Sequence, residues 1–173
     1  MRLRVVSGGQ TGADRAALDA AQESGLETGG WCPYGRRAED GRIPDRYSLR
    51  ETPSEAVEQR TEWNVRDSDA TLILVLKAMD RGTAYTEERA GAYGRPLRVV
   101  ALAAPAHGYD GGEAADPAPE EAFEKKVVAT ARWLKARKVS VLNVAGPRES
   151  NAPGLYRAAR RFLLRLFDVV AER

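Results

Sequence analysis

The chain is poor in the residues that most often mark a reaction centre. Its 173 residues include one cysteine, Cys32, and one histidine, His107. A lone cysteine excludes an intramolecular disulfide, and no metal site is evident because no His/Cys cluster with ligand spacing exists. With a single histidine there is no Ser-His-Asp set either. Long apolar runs are missing as well. The longest obvious one, Ala70 to Leu76, has strand length and falls far short of the roughly 18 residues that cross a bilayer. The apolar start is too short for a secretory h-region, so the sequence reads as cytoplasmic, with no membrane partner. Charge of one sign is lacking too. Lys and Arg number 27 against 25 Asp and Glu, a net charge of +2, so no global field favours nucleic acid. Arg157, Arg161 and Arg165, with Arg160 beside them, form a stripe at helical spacing that reads as a solvated helix face.

What is present begins at Val5. An apolar strand runs into Ser7-Gly8-Gly9-Gln10-Thr11-Gly12-Ala13-Asp14 and then into a helix. Glycines let the backbone turn tightly and let an anion approach, while unpaired N–H groups at the helix start carry the positive end of its dipole. The spacing is Gly-Gly-x-x-Gly, without the Gly-x-Gly-x-x-Gly of dinucleotide sites or the Lys-Ser/Thr of an ATPase loop. Gln10, Thr11 and Asp14 add amide, hydroxyl and carboxylate groups that can cap the helix or meet a ligand.

Apolar strands and amphipathic helices alternate along the chain. Strands are expected at Arg2 to Val6, Thr71 to Leu76, Leu97 to Leu102 and Val139 to Val144. Helices are expected at Asp14 to Ser24, Ser54 to Arg66, Thr83 to Ala92, Pro119 to Ala136 and Leu155 to Val170. Continuous apolar strands fit a sheet covered on both faces, so the pattern predicts one doubly wound α/β domain spanning 1–173. Two segments break the rhythm. Residues 103–118, small and glycine-rich, read as a mobile loop that contains a solvated His107. Residues 28–53 carry Trp31, Cys32, Tyr34, Arg36, Arg37, Glu39, Asp40 and Tyr47, and read as a structured binding wall.

In an open parallel sheet, ligands bind beyond the carboxyl ends of the strands. Three loops there look specialised: Gly8 to Asp14, Asp80 to Thr83, and Gly146 to Gly154. Gly82 would allow close approach, Thr83 would supply a cap hydroxyl, Arg81 would serve as an anion partner, and Arg148 would clamp an oxyanion in two-point fashion. The candidate ligand-binding residues are therefore Gly8, Gly9, Gln10, Thr11, Gly12, Asp14, Arg81, Gly82, Thr83 and Arg148.

Several separated motifs then combine: Ser7 to Asp14, Gly30-Trp31-Cys32-Pro33, Ala38 to Pro44, Arg60-Thr61, Asn64-Val65, Asp67-Ser68-Asp69, and Asn143 to Ser150. Together they resemble the family called putative molybdenum carrier. That family is a circularly permuted relative of YpsA in the Rossmann-like superfamily that also contains the Lonely-guy cytokinin-activating phosphoribohydrolases. The resemblance implies a cytoplasmic Rossmann-like three-layer sandwich with a mostly parallel sheet, assembled as an oligomer, with a dimer as the expected state. The implied ligand is small and phosphorylated: the molybdenum cofactor or a nucleotide. The phosphoribohydrolases use Pro-Gly-Gly-x-Gly-Thr-x-x-Glu, and in the aligned segment Met79 to Thr86 the catalytic Glu position holds Thr86. Glu87 and Glu88 lie roughly 100° and 200° further around the helix. A carrier without catalytic machinery is the first reading. A nucleotide hydrolase cleaving an N-glycosidic bond, with Asp14, Glu87 or Asp40 as acid or base, is the alternative. A nucleic-acid adaptor is the reading least favoured by charge, and Cys32 alone is not expected to bind molybdenum as a thiolate.

Overall fold

Short strands, most of them apolar, build the sheet of this protein. The structure is a computed structural model that describes residues 3–104 and 120–171. The main elements are β1 (Arg4–Val6), α1 (Ala13–Glu23), β2 (Glu27–Gly29), β3 (Trp31–Cys32), β4 (Arg37–Ala38), β5 (Gly41–Arg42) and β6 (Arg50–Glu51). They continue with α2 (Val57–Arg66), β7 (Ala70–Val75), α3 (Arg81–Ala92), β8 (Leu97–Ala101), α4 (Glu120–Ala136), β9 (Val141–Ala145) and α5 (Leu155–Ala171). Five strands form one sheet in the order β2-β1-β9-β7-β8, and every pairing is parallel. The expected Rossmann-like α/β fold is what the chain adopts.

Alternation along each strand sorts side chains between two faces. Leu3, Val5, Leu72, Leu74, Leu142 and Val144 join α1, α4 and α5 in the main core, where Phe162, Leu163 and Leu166 are fully buried. Burying one such side chain stabilises the fold by about 1.5–3 kcal/mol. The alanines of α1 (Ala13, Ala16, Ala17, Ala20, Ala21) are all buried, which brings that helix close to the sheet. The opposite face is covered by α2 and α3, which pack on each other. The β9 strand lies between β1 and β7, pairing Val5 with Leu142 on one side and Thr71 with Asn143 on the other.

Several expectations need correction. The strand β2 was unexpected because Glu27, Thr28 and Gly29 offer no apolar side chain; it sits at the sheet edge, paired only to β1. The second helix starts at Val57 and not at Ser54, because Ser54 holds a turn: its hydroxyl accepts from the Ala56 N–H at 3.0 Å. The arginine stripe of α5 is not simply solvated. Arg161 pairs with Glu120, Arg165 with Glu124 and Arg160 with Glu23, joining α5 to α4 and α1 at the surface. The expected loop at 103–118, with His107, lies outside the described residues from 105 onward.

Residues 28–53 fold around their own small core. Cys32, Ile43 and Tyr47 pack with Leu18 of α1. Strands β3 and β6 pair in parallel, and β4 with β5 make a hairpin whose turn carries Glu39 and Asp40. Arg36 is buried, with φ of 52°, and donates to four carbonyls: Ile43 O at 3.1 Å, Leu49 O at 3.2 Å, Pro44 O at 2.9 Å and Tyr47 O at 2.9 Å.

Candidate functional site

Three strand ends and one helix meet at a narrow cleft. Its floor comes from Gly8 and from Asn143, Val144, Ala145 and Gly146 at the end of β9. Gln10 and Asp14 stand on one side, Val57, Arg60, Thr61 and Asn64 of α2 on another, and Asp80, Gly82, Thr83 and Thr86 at the start of α3 on the third. Arg148 closes the ring, and the cavity volume is about 80 Å³. The cleft lies where β1 and β7 send their crossovers to opposite edges of the sheet, as expected of a binding crevice in this architecture. A roomier groove of about 550 Å³ runs between α4 and α5, and three of the four arginines that line it, Arg160, Arg161 and Arg165, are paired with glutamates.

The glycines act through space and not through a repeated motif. A Cβ at Gly8 would overlap the Arg60 guanidinium, which approaches to donate to Gly8 O at 2.8 Å. At Gly146 it would overlap the Leu74 carbonyl and lie 2.7 Å from Ala13 Cβ. Gly12 precedes α1 at φ 77° and ψ −127°, a conformation reserved for glycine, with Pro147 O 2.5 Å from where its Cβ would stand.

A polar network fixes the loops around this space. The Ser7 hydroxyl donates to Val144 O at 2.7 Å, tying β1 to β9. Gln10 Oε1 accepts from the N–H of Thr11 and of Glu39, both at 3.0 Å. Glu39 in turn accepts from the Thr11 hydroxyl and from the N–H and hydroxyl of Ser150. Burial alone would raise the Glu39 carboxyl, but these bonds hold it below the usual carboxylate value. Asn64 grips the backbone of Trp31 with both ends of its amide, accepting from its N–H at 2.8 Å and donating to its carbonyl at 2.9 Å.

Charge in the cleft is uneven. Arg60 Nη1 stands 3.8 Å from Asp14 Oδ2, and both side chains are about nine-tenths buried. Burial pushes the Asp14 carboxyl up, and Arg60 and the Gln10 N–H only partly counter this. Asp80 caps α3, accepting from the Thr83 N–H at 2.9 Å and hydroxyl at 2.7 Å and from Asn151 Nδ2 at 2.8 Å. Burial opposes its ionisation, yet these bonds hold it below its ordinary value. Arg148 is half-buried, and its guanidinium makes no hydrogen bond or ion pair among the described residues.

Of the residues singled out from sequence, Gly8, Gln10, Asp14, Gly82, Thr83 and Arg148 line the cleft. Gly9, Thr11, Gly12 and Arg81 do not. Gly9 faces away, with Leu49 Cδ1 2.6 Å from where its Cβ would stand, and Arg81 is exposed on the first turn of α3. Thr83 is not the cap, since Asp80 takes that place. No residue of 28–53 lines this cleft; the segment meets its loops through Glu39, and Gly30, Trp31, Ser48 and Arg50 line a separate pocket of about 140 Å³. Arg60, Asn64 and Asn143 also line the cleft, although their positions in the sequence do not single them out as site residues. A signal existed: Arg60 and Asn64, one helical turn apart, occupy the buried side of α2 where apolar residues would be routine.

Residues 5–167 match the circularly permutated YpsA SLOG family. The chain belongs to that family. A crystal structure of a putative molybdenum carrier protein from Syntrophus aciditrophicus SB is similar to it, with a TM-score of 0.81 and 36% identity, covering 98% of this chain and 96% of that one. A search of curated proteins gave no match. In this SLOG chain Thr86 faces the cleft where the phosphoribohydrolase motif has its glutamate, while Glu87 and Glu88 are exposed on α3. No helix of the described residues is long and apolar enough to cross a membrane.

Proposed function

We propose that the protein is a carrier that holds a small oxyanion, free or as the phosphate end of a molybdenum-cofactor-like or nucleotide-like ligand, in this cleft. The observation that carries the reading is that Arg148 and Arg60 both line this cleft, and that the Arg148 guanidinium, near enough to Glu39 and Asp80 to help hold both carboxyls down, makes no hydrogen bond or ion pair among the described residues. Guanidinium groups bind planar pairs of oxygens in two-point fashion, and Gln10, Asn64 and Asn143 add side-chain amides to the lining, whereas the Thr61, Thr83 and Thr86 hydroxyls donate within the protein. The name of the solved relative supports a molybdenum-containing cargo. The donor set fits molybdenum as an oxyanion and not as a bare cation, because among the described residues no group of three or more His, Cys, Asp or Glu side chains could hold a metal ion. Thr86 in place of a carboxylate favours retention of the ligand over cleavage of a glycosidic bond. In the same reading the protein works in the cytoplasm as a homodimer, which light scattering after gel filtration tests.

The direct test is thermal unfolding with molybdate, a pterin phosphate, and adenine and guanine nucleotides, followed by chromatography of each mixture. A ligand at 100 times its dissociation constant adds about 2.7 kcal/mol of stability. Stabilisation with the ligand recovered intact, at least tenfold weaker in Arg148→Ala, is the expected result. Recovery of a cleaved product would make the protein an enzyme and overturn the carrier reading.

A further inference from the structure

Within residues 28–53, Arg37, Arg42 and Arg46 reach carboxylates and Arg36 reaches carbonyls, but Arg50 reaches neither. Together with Arg4 of β1 it lines the separate pocket of about 140 Å³, whose other polar lining is Trp31, Ser48, Asn64 and Asp67. Neither Arg4 nor Arg50 makes a side-chain hydrogen bond or ion pair among the described residues. The one acid of the lining is already matched, since Asp67 accepts from Arg66 Nε at 2.7 Å, from Arg66 Nη2 at 2.9 Å and from Trp31 Nε1 at 2.8 Å. Two guanidinium charges therefore share one small space with no counter-charge of their own.

Both groups are also seated. Arg4 Nη2 lies where a Cβ of Gly29 would stand, so the absence of a side chain at Gly29 lets the guanidinium rest on the end of β2. Arg50 Cζ stands 5.9 Å from the centre of the Trp31 ring. That ring is itself fixed, by its bond to Asp67 and by Trp63 edge-on at 4.7 Å, while Asn64 holds the Trp31 backbone. Cations placed in advance lose less freedom when a ligand arrives.

Independently of the carrier reading, we propose that this pocket is a second anion site, in which Arg4 and Arg50 hold a phosphate group, free or at the end of a small organic monoester. Guanidinium groups on different elements suit a tetrahedral oxyanion, which has oxygens to offer to each. The volume is roughly ten times what one water needs, enough for a phosphate group and more. The site is distinct from the cleft. The two share Asn64 alone, and Gly30 packs so closely on Ser7 that a Cβ there would overlap the Ser7 carbonyl.

Nuclear magnetic resonance of the 15N-labelled full chain tests this, at pH 7 and an ionic strength held at about 0.15 M so that general screening stays constant. Inorganic phosphate should shift the Trp31 indole N–H and the amides of residues 29–31 and 48–50, with half-saturation below about 1 mM. Arg4→Gln and Arg50→Gln, at exposed positions, should each weaken this response at least about tenfold and leave Tm unchanged. Gly29→Ala displaces the Arg4 guanidinium without altering charge and should weaken it as well; it decides if an arginine variant fails to fold. Arg148→Ala should leave the response intact. Phenyl phosphate binding at least about tenfold more tightly than inorganic phosphate assigns the site to monoesters, and equal or weaker binding assigns it to the free ion. Shifts that rise linearly with concentration, shifts undiminished in both arginine variants, or a response confined to cleft amides such as Gly8 and Thr83 overturn the inference.

Discussion

Two glycine-to-alanine changes, Gly146→Ala and Gly91→Ala, should shift stability in opposite directions. Gly146 lies just beyond β9, and its backbone does not need the left-handed region. A methyl group there overlaps the carbonyl oxygen of Leu74 and comes within 2.7 Å of Ala13 Cβ. Leu74 belongs to β7, paired on both sides, so its carbonyl has no room to retreat. Overpacking a core costs about 1–3 kcal/mol, and a rigid backbone neighbour places this case at or above the top of that range. Gly91 lies inside α3 with nothing within 4 Å of an added Cβ, so alanine there removes the helical penalty of glycine and adds about 0.5–1 kcal/mol. For a chain of this size 1 kcal/mol moves Tm by about 2–4 °C. Gly146→Ala should therefore melt about 6–12 °C lower and Gly91→Ala about 1–4 °C higher. Urea unfolding with unchanged m-values would show that the native state is the one affected. Equal melting temperatures for the two variants would refute the claim that β9, β7 and α1 meet at a contact only glycine permits.

Asn64→Ala removes both bonds to the Trp31 backbone and leaves a part-buried N–H and carbonyl unsatisfied, so urea unfolding should show a loss of about 2–4 kcal/mol with a shift in tryptophan emission. Glu39 is held below its ordinary value of 4.5, so its contribution to stability is present above pH 4.5 and is lost as pH falls through its lower folded value; Glu39→Gln should flatten that acid limb of Tm against pH. Asp14 shifts the other way from 3.8, so its contribution is fully present below pH 3.8 and is lost as pH rises; unliganded Asp14→Asn should be the more stable protein at pH 7 in urea.

Much of this architecture was legible. Runs such as Thr71 to Leu76 are apolar on both sides of the strand, which only a doubly covered sheet satisfies, and the alanines of α1 announced a close helix. The glycine loop was placed on the rim, and Arg148 with it. The roles within the loop were harder to read, because a glycine needed for Arg60 looks the same in sequence as one needed for a ligand. Gly8 and Gly9 are adjacent, yet one borders the cleft and the other faces Leu49. Arg36 was counted only among the charged groups of an expected binding wall, but its donors go to four carbonyls of its own segment, a choice set by chain closure and invisible to composition. Asn143 escaped notice because a polar residue within a strand declares its purpose only when the neighbouring loops arrive.

The placement of β9 has a consequence for biosynthesis. The strand at the centre of the sheet is the last to leave the ribosome, and the bond from Ser7 to Val144 spans 137 positions. Without residues 141–145, the inner edges of β1 and β7 have no partner strand, and such edges are open to wrong pairing. Insertion of one short strand ends that exposure and in the same step delivers Asn143, Gly146 and Arg148 to the cleft. A nascent chain therefore has no finished cleft until synthesis has passed the final crossover.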